Sequence, residues 1–205
     1  MQLISETEQK IIHAATEIFL EKGKDGARMQ EIADQAGINK ALLHYYFRSK
    51  DKLFENVFKQ EFKSIFNGII PLTTGAHNFK DFLYQFITNY LQNIIPRRNL
   101  MRFILWEITK VQPNLTQYIL EVFQEYGFQE NPVALRIQQA IDQGEIKSID
   151  PSHFIMSLLG MCVFPVIAAP VMEKILPAAD FQQPGFLEQR IATIVDLLWE
   201  GIKPK

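Results

Sequence analysis

Apolar residues recur every three or four positions along most of the chain, the spacing of one helix face. Nowhere do they alternate with polar residues as a half-buried strand requires. The pattern predicts a helix starting at Ser5, where Ser5-x-x-Glu8 has the form of a capping box. Ile11, Ile12, Ala15, Ile18 and Phe19 form its apolar stripe, and Gly23 supplies its stop. A short helix comes next over 29–35, Gly37 makes a turn, and Asn39 caps a third helix from Lys40 to about Phe47. Ser49 caps a fourth, whose face runs Phe54, Phe58, Phe62, Ile65, Phe66, Ile69 and ends before Pro71.

Positions 73–78 form the candidate hinge, and Asn78 then caps a helix carrying Phe82, Leu83, Phe86, Ile87, Tyr90 and Leu91. Pro96, Pro113 and Pro132 punctuate the helices after it. Asn131-Pro132 and Asp150-Pro151 both read as an N-cap with proline at the first helical position. Gly144 ends the helix between them, and a loop with Pro177 and Pro184 precedes a last helix carrying Ile191, Ile194, Val195, Leu198 and Trp199. The expected fold class is therefore all-α.

One segment, 154–172, holds no charge. As a helix it would be roughly 28 Å long, close to a bilayer core. Pro165 and Pro170 inside it, with no flanking Lys/Arg or interfacial Trp and Tyr, argue against a membrane span. The expectation is burial between helices or at a subunit interface. The N-terminus, MQLISETEQK, has neither the basic nor the apolar region of a signal peptide, and a cytoplasmic protein is expected.

Composition changes little: 205 residues, 47% hydrophobic and 21% charged, with 16 Phe. A net charge of −2 excludes a protein that coats nucleic acid along its whole length. A single cysteine, Cys162, excludes an internal disulfide framework and stands without a charged sequence neighbour. His13, His44, His77 and His153 lack metal-ligand spacing, and there is no glycine-rich phosphate loop. No catalytic residue, metal site or cofactor is expected, and the chain does not read as an enzyme.

The informative stretch is 29–47, MQEIADQAGINKALLHYYF. A short helix, a glycine turn and a second helix make a helix-turn-helix. Ile32, Ala33, Ile38 and Leu43 face inward, while Lys40, Ala41, His44 and Tyr45 face outward on the second helix. Lys40 suits guanine O6 or N7, and small Ala41 permits close approach. His44 and the phenols of Tyr45 and Tyr46 suit bases or phosphate oxygens, with Tyr46 the more buried of the two tyrosines. Over 37–53, Lys40, Arg48, Lys50 and Lys52 stand against Asp51 alone, a local excess of three positive charges.

The run EIADQAGINKALLHYYFRSKDKLF resembles the TetR/AcrR family of transcriptional regulators. It carries a helix of the form E-I-A-x-x-A-G, a recognition helix ending Y-x-F, and an S-K-x-x-L start to the next helix. The likeness covers about residues 5–60. It implies an all-α homodimer with a helix-turn-helix domain at 1–50 and a larger ligand-binding and dimerisation domain at 51–205. It further implies a repressor released from a near-palindromic double-stranded operator by a small-molecule effector. By position, Arg28, Gln30, Asn39, Lys40, Ala41, Leu42, His44, Tyr45, Arg48 and Lys50 would form the DNA-facing set, with Lys50 clamping a phosphate. Arg28 replaces the usual Thr or Ser cap, Leu42 a usual Thr, and His44 a common Tyr.

For the remaining residues two readings stand. Phe86, Tyr90, Phe103, Trp106, Phe123 and Tyr126 either line an effector pocket or form ordinary core. Glu107, Glu121 and Glu125 either face that pocket or face water. The charge-free segment and the last helix are expected to form a four-helix dimer interface through Phe154, Leu158, Leu159, Met161, Ile194 and Leu198. The fourth helix would pass a ligand's effect to the DNA. Two other functions fit the same helices: a constitutive DNA-binding adaptor or architectural protein, and a carrier of apolar ligands without specific DNA binding.

Overall fold

The computed structural model describes residues 5–67, 72, 78–110, 115–176 and 183–204. Among them are ten helices and no strand: α1 (Glu6–Gly26), α2 (Met29–Gln35), α3 (Lys40–Tyr46), α4 (Lys50–Phe66), α5 (Phe79–Ile94), α6 (Arg98–Thr109), α7 (Leu115–Glu125), α8 (Pro132–Asp142), α9 (Pro151–Ile175) and α10 (Phe186–Ile202). Ile69, Pro71, the hinge positions 73–77, Pro113 and Pro177 lie outside the described residues.

Local chemistry sets the helix starts. Ser5 accepts a hydrogen bond from the Glu8 N–H, Asn39 from Leu42 and Asn78 from Asp81. Asn131 accepts from Val133 and Ala134, and Asp150 from Ser152 and His153, each followed by proline at the first helical position. Arg28 precedes α2 without a side-chain cap, as its departure from Ser/Thr implied. Gly23 is not the end of α1. It forms a kink at φ 68°, a backbone region costly for any side chain, and helical turns resume to Gly26.

The chain divides into two compact units. The first comprises Met1–Lys63 and Arg102–Ile119, the second Ser64–Met101 and Leu120–Lys205. The expected boundary at residue 50 falls inside the first unit, because α4 packs into it through aromatic rings. Phe54 meets Phe19 edge-on at 5.4 Å and Phe103 at 5.8 Å, and stacks with Phe58 at 6.2 Å. In this unit α2 packs on both α1 and α3.

In the second unit α5 packs on α9 and α10, and α9 also packs on α8 and α10. A chain of rings, Phe79, Phe82, Phe86 and Tyr90, runs along α5 at spacings of 5.5–5.8 Å. Arg136, 6% exposed, lies over Phe79 and Phe82 and pairs with Glu145 at 3.2 Å.

Helix α9 is long and apolar enough to cross a membrane, by length and composition. It is not buried all round. Phe154, Leu158, Cys162, Val166 and Ala169 form one buried stripe, while Met156, Phe164, Val171 and Ile175 are about 60% exposed. Burial pushes the Cys162 thiol up to about 12 against the opposing pull of Arg190, so this thiol stays protonated and inert.

Candidate DNA-binding interface

Helix α3 is pinned from below and open above. Leu43 is fully buried and Phe47 nearly so, which fixes the helix on the first unit's core. Lys40, Ala41 and His44 are exposed, and Tyr45 is 80% exposed. Leu42 and Tyr46 are half-buried. The Tyr46 hydroxyl accepts from Ser5 Oγ at 3.3 Å, and its ring meets that of Tyr45 edge-on. The unequal burial of the two tyrosines comes from helical period, since Tyr46 sits three positions beyond buried Leu43.

Around this helix the polar side chains divide into occupied and available groups. Asn39 Oδ1 is spent on the Leu42 N–H at 2.8 Å, and Gln30 is tied to Asp34 at 2.8 Å. Lys24 pairs with Asp51, Lys52 with Glu55, and Lys22 with Glu31. Arg28, Lys40 and Arg48 are exposed and, among the described residues, make no ion pair. The local positive excess over 37–53 is therefore carried by Lys40, Arg48 and Lys50, and Arg28 adds to it from the start of α2.

Lys50 has a structural role that sequence reasoning missed. Its ammonium donates to the main-chain oxygens of Asp25 at 3.3 Å and Ala27 at 3.2 Å. It thereby closes the loop between α1 and α2. An ammonium has three donors, so one remains for an outside acceptor. Ser49 Oγ accepts from the Lys52 N–H at 3.2 Å and caps α4 beside it.

A second lysine also holds Asp25. Lys110 bonds Asp25 Oδ2 at 2.9 Å and Glu107 Oε1 at 3.2 Å. Glu107, for which the sequence allows either a pocket or water, is 0% exposed. Glu121 is half-buried and Glu125 exposed.

This arrangement of two short helices at a glycine turn (Gly37 at φ 69°), with a cationic outer face, matches a known family model. Residues 11–57 fit the model described as "Bacterial regulatory proteins, tetR family". The chain is a DNA-binding transcriptional regulator, similar over these residues to the TetR family. Regulators of this family bind DNA operators and small-molecule effectors.

The regulator is 28% identical over 178 residues to "Probable HTH-type transcriptional regulator YttP" of Bacillus subtilis, covering 83% of this chain and 82% of that protein. It is 38% identical over 89 residues to the "Biofilm operon icaADBC HTH-type negative transcriptional regulator IcaR" of Staphylococcus aureus. That match spans 43% of this chain and 47% of IcaR. Among solved structures, the regulator FadR from Bacillus subtilis in complex with stearoyl-CoA shares the fold, with a TM-score of 0.71 at 22% identity over 94% of this chain and 98% of FadR.

The other expected site residues of the regulator fall into separate groups. Phe103 and Trp106 belong to the first unit. Phe103 is core there, whereas Trp106 is 61% exposed with Lys110 above its ring. Phe86, Tyr90, Phe123 and Tyr126 belong to the second unit, where the first three are buried and Tyr126 bonds Asn67. Burial raises the pKa of Tyr90, keeping its phenol neutral.

The expected dimer residues divide by burial within the protomer. Phe154, Leu158, Ile194 and Leu198 are buried within the second unit and leave almost no surface for another chain. They lie on the inner stripes of α9 and α10. Leu159 and Met161 are half-buried. The outer faces instead carry Met156, Phe164, Val171 and, on α10, Leu197, which is 59% exposed.

Proposed function

We propose that this regulator is a homodimeric repressor that binds a near-palindromic operator and is released by a small-molecule effector. The observation carrying this reading is the outer face of α3. Lys40, Ala41, His44 and Tyr45 stand exposed on a helix fixed by Leu43, beside Arg28 and Arg48 with no acidic partner among the described residues. That face fits a major groove, where Lys40 would read guanine and the arginines and Lys50 would hold phosphates. Leu42 and Gln30 would flank the groove, and Asn39 would present its amide N–H2 after capping α3. Residues 1–50 would supply the DNA contacts, and the remaining helices ligand binding and dimerisation.

Repression is supported by the negative regulator IcaR. An apolar effector is supported by the aromatic helices of the second unit and by the stearoyl-CoA bound in FadR. A long-chain acyl thioester is therefore the first effector to try. An effector releases the operator only by binding the DNA-free state more tightly than the DNA-bound one. The homodimer is supported by the exposed apolar face of α9 and α10. It would set two recognition helices one DNA turn apart, ~34 Å or a little more. The protein would act in the cytoplasm, where its operator is.

Selection from a random duplex library at about 0.15 M salt tests this reading. The expected product is a palindromic site with half-sites roughly one turn apart, lost in Lys40→Ala. Lys50→Ala should weaken binding to all sequences alike and lower the salt slope by about 0.9. Retention of duplexes without sequence preference would overturn the specific regulator. Operator binding that stearoyl-CoA leaves unchanged would remove that effector class.

A further inference from the structure

A backbone defect in α9 meets an unpaired cation from α10. Proline has no N–H, so Pro165 cannot donate to the carbonyl four residues earlier, that of Met161. Arg190 of α10 fills the gap: its Nη2 donates to the Met161 oxygen at 2.8 Å. The guanidinium lies close enough to buried Cys162 to act on its ionisation. Its Nε is buried without a hydrogen-bond partner, and among the described residues Arg190 makes no ion pair.

Arg190 is half-buried, and a half-buried cation held by one carbonyl adds little to the stability of a core. The bond does one thing that apolar packing does not. Side chains in a helix–helix contact tolerate small slides and rotations, whereas a planar guanidinium on one carbonyl fixes a point. Helices α9 and α10 pack together, and both present their outer apolar residues to solvent.

We propose that Arg190 is a positioning residue for the dimer. By pinning α10 to α9 at the proline break, it sets the geometry of the face that meets a second copy, and so the separation of the two recognition helices. This rests on the homodimeric reading of the regulator. Arg190 itself touches neither DNA nor effector. Its effect appears in which half-site spacing the dimer accepts.

The test is a mutant cycle between Arg190→Met and Pro165→Ala, read by thermal midpoint, by sedimentation, and by binding to operators whose half-site spacing is varied in single base-pair steps. Pro165→Ala restores the N–H that Met161 lacks, so it repairs the orphaned carbonyl but not the link between helices. Arg190→Met should lower the thermal midpoint, remain dimeric, and lose several-fold of its discrimination between the preferred spacing and its neighbours. The double variant should recover the thermal midpoint and still discriminate poorly. Recovery of both would overturn the proposal and leave Arg190 a seal for one carbonyl, as would unchanged discrimination in Arg190→Met. Should Arg190→Met not fold, Arg190→Lys serves: it keeps one donor for Met161 without the planar fork, and spacing discrimination equal to wild type would again overturn the idea. A monomeric wild type would instead remove the homodimer itself.

Discussion

Glu107 shows how much the loop before α2 depends on single side chains. A carboxylate with no exposed surface needs cations and donors close by, and the Lys110 ammonium is one of them. Burial works against the charge on Lys110. Its hydrogen bonds to Asp25 and Glu107 outweigh that effect and raise its pKa. Nearby, Gly23 takes a φ of 68° at the kink. A methyl group there would meet only Glu107 Oε1, at 3.9 Å, an ordinary contact. Gly23→Ala should therefore cost backbone strain alone, about 1–2 kcal/mol, seen as a lower thermal midpoint with operator contacts intact. An unchanged midpoint would mean that the kink is not held. Neither the burial of Glu107 nor the bonds of Lys50 was legible in the sequence, because both arise from residues far apart in the chain. Tyr45 and Tyr46 were legible, since helical period alone separates them.

At the scale of elements, the sequence was most readable where a helix begins. Asn39, Asn78, Asn131 and Asp150 all cap as their positions imply, since a cap needs only its own next three residues. Asp150 permits a pH test. The N–H groups of His153 and Ser152 hold its carboxyl below the ordinary value of 3.8. Its folded pKa is depressed, so its contribution is present above the unfolded value and lost as pH falls through the folded one. Asp150→Asn keeps an acceptor that does not titrate. The variant should lose less stability than wild type between pH 4 and pH 2, by thermal melts (about the range in which such a group protonates). Parallel losses would show that the cap contributes nothing through its charge. In α9 the absence of charge allows burial between helices or at a subunit interface, and the protomer buries one stripe and leaves the other exposed. Periodicity cannot say which stripe of a uniformly apolar helix turns inward, so in the sequence the inner residues Phe154 and Leu158 look the same as a subunit interface.

For the whole molecule, the outer residues of α9 and α10 are where the proposed homodimer is open to test. Phe164 is 60% exposed, so Phe164→Lys removes apolar surface from the proposed interface without disturbing the protomer's core. The variant should be a folded monomer by sedimentation, with operator affinity reduced as two half-sites are no longer held together. A dimer of normal stability would move the interface elsewhere. The exposed face of α9 also bears on how such a regulator ages in a cell. In the proposed homodimer, a protomer without its mate would display an apolar surface of the kind that quality-control machinery engages, and dilution would then shorten its lifetime. Newly made chains would persist only once enough copies had accumulated, so the pool of repressor would respond to its own rate of synthesis more steeply than in proportion.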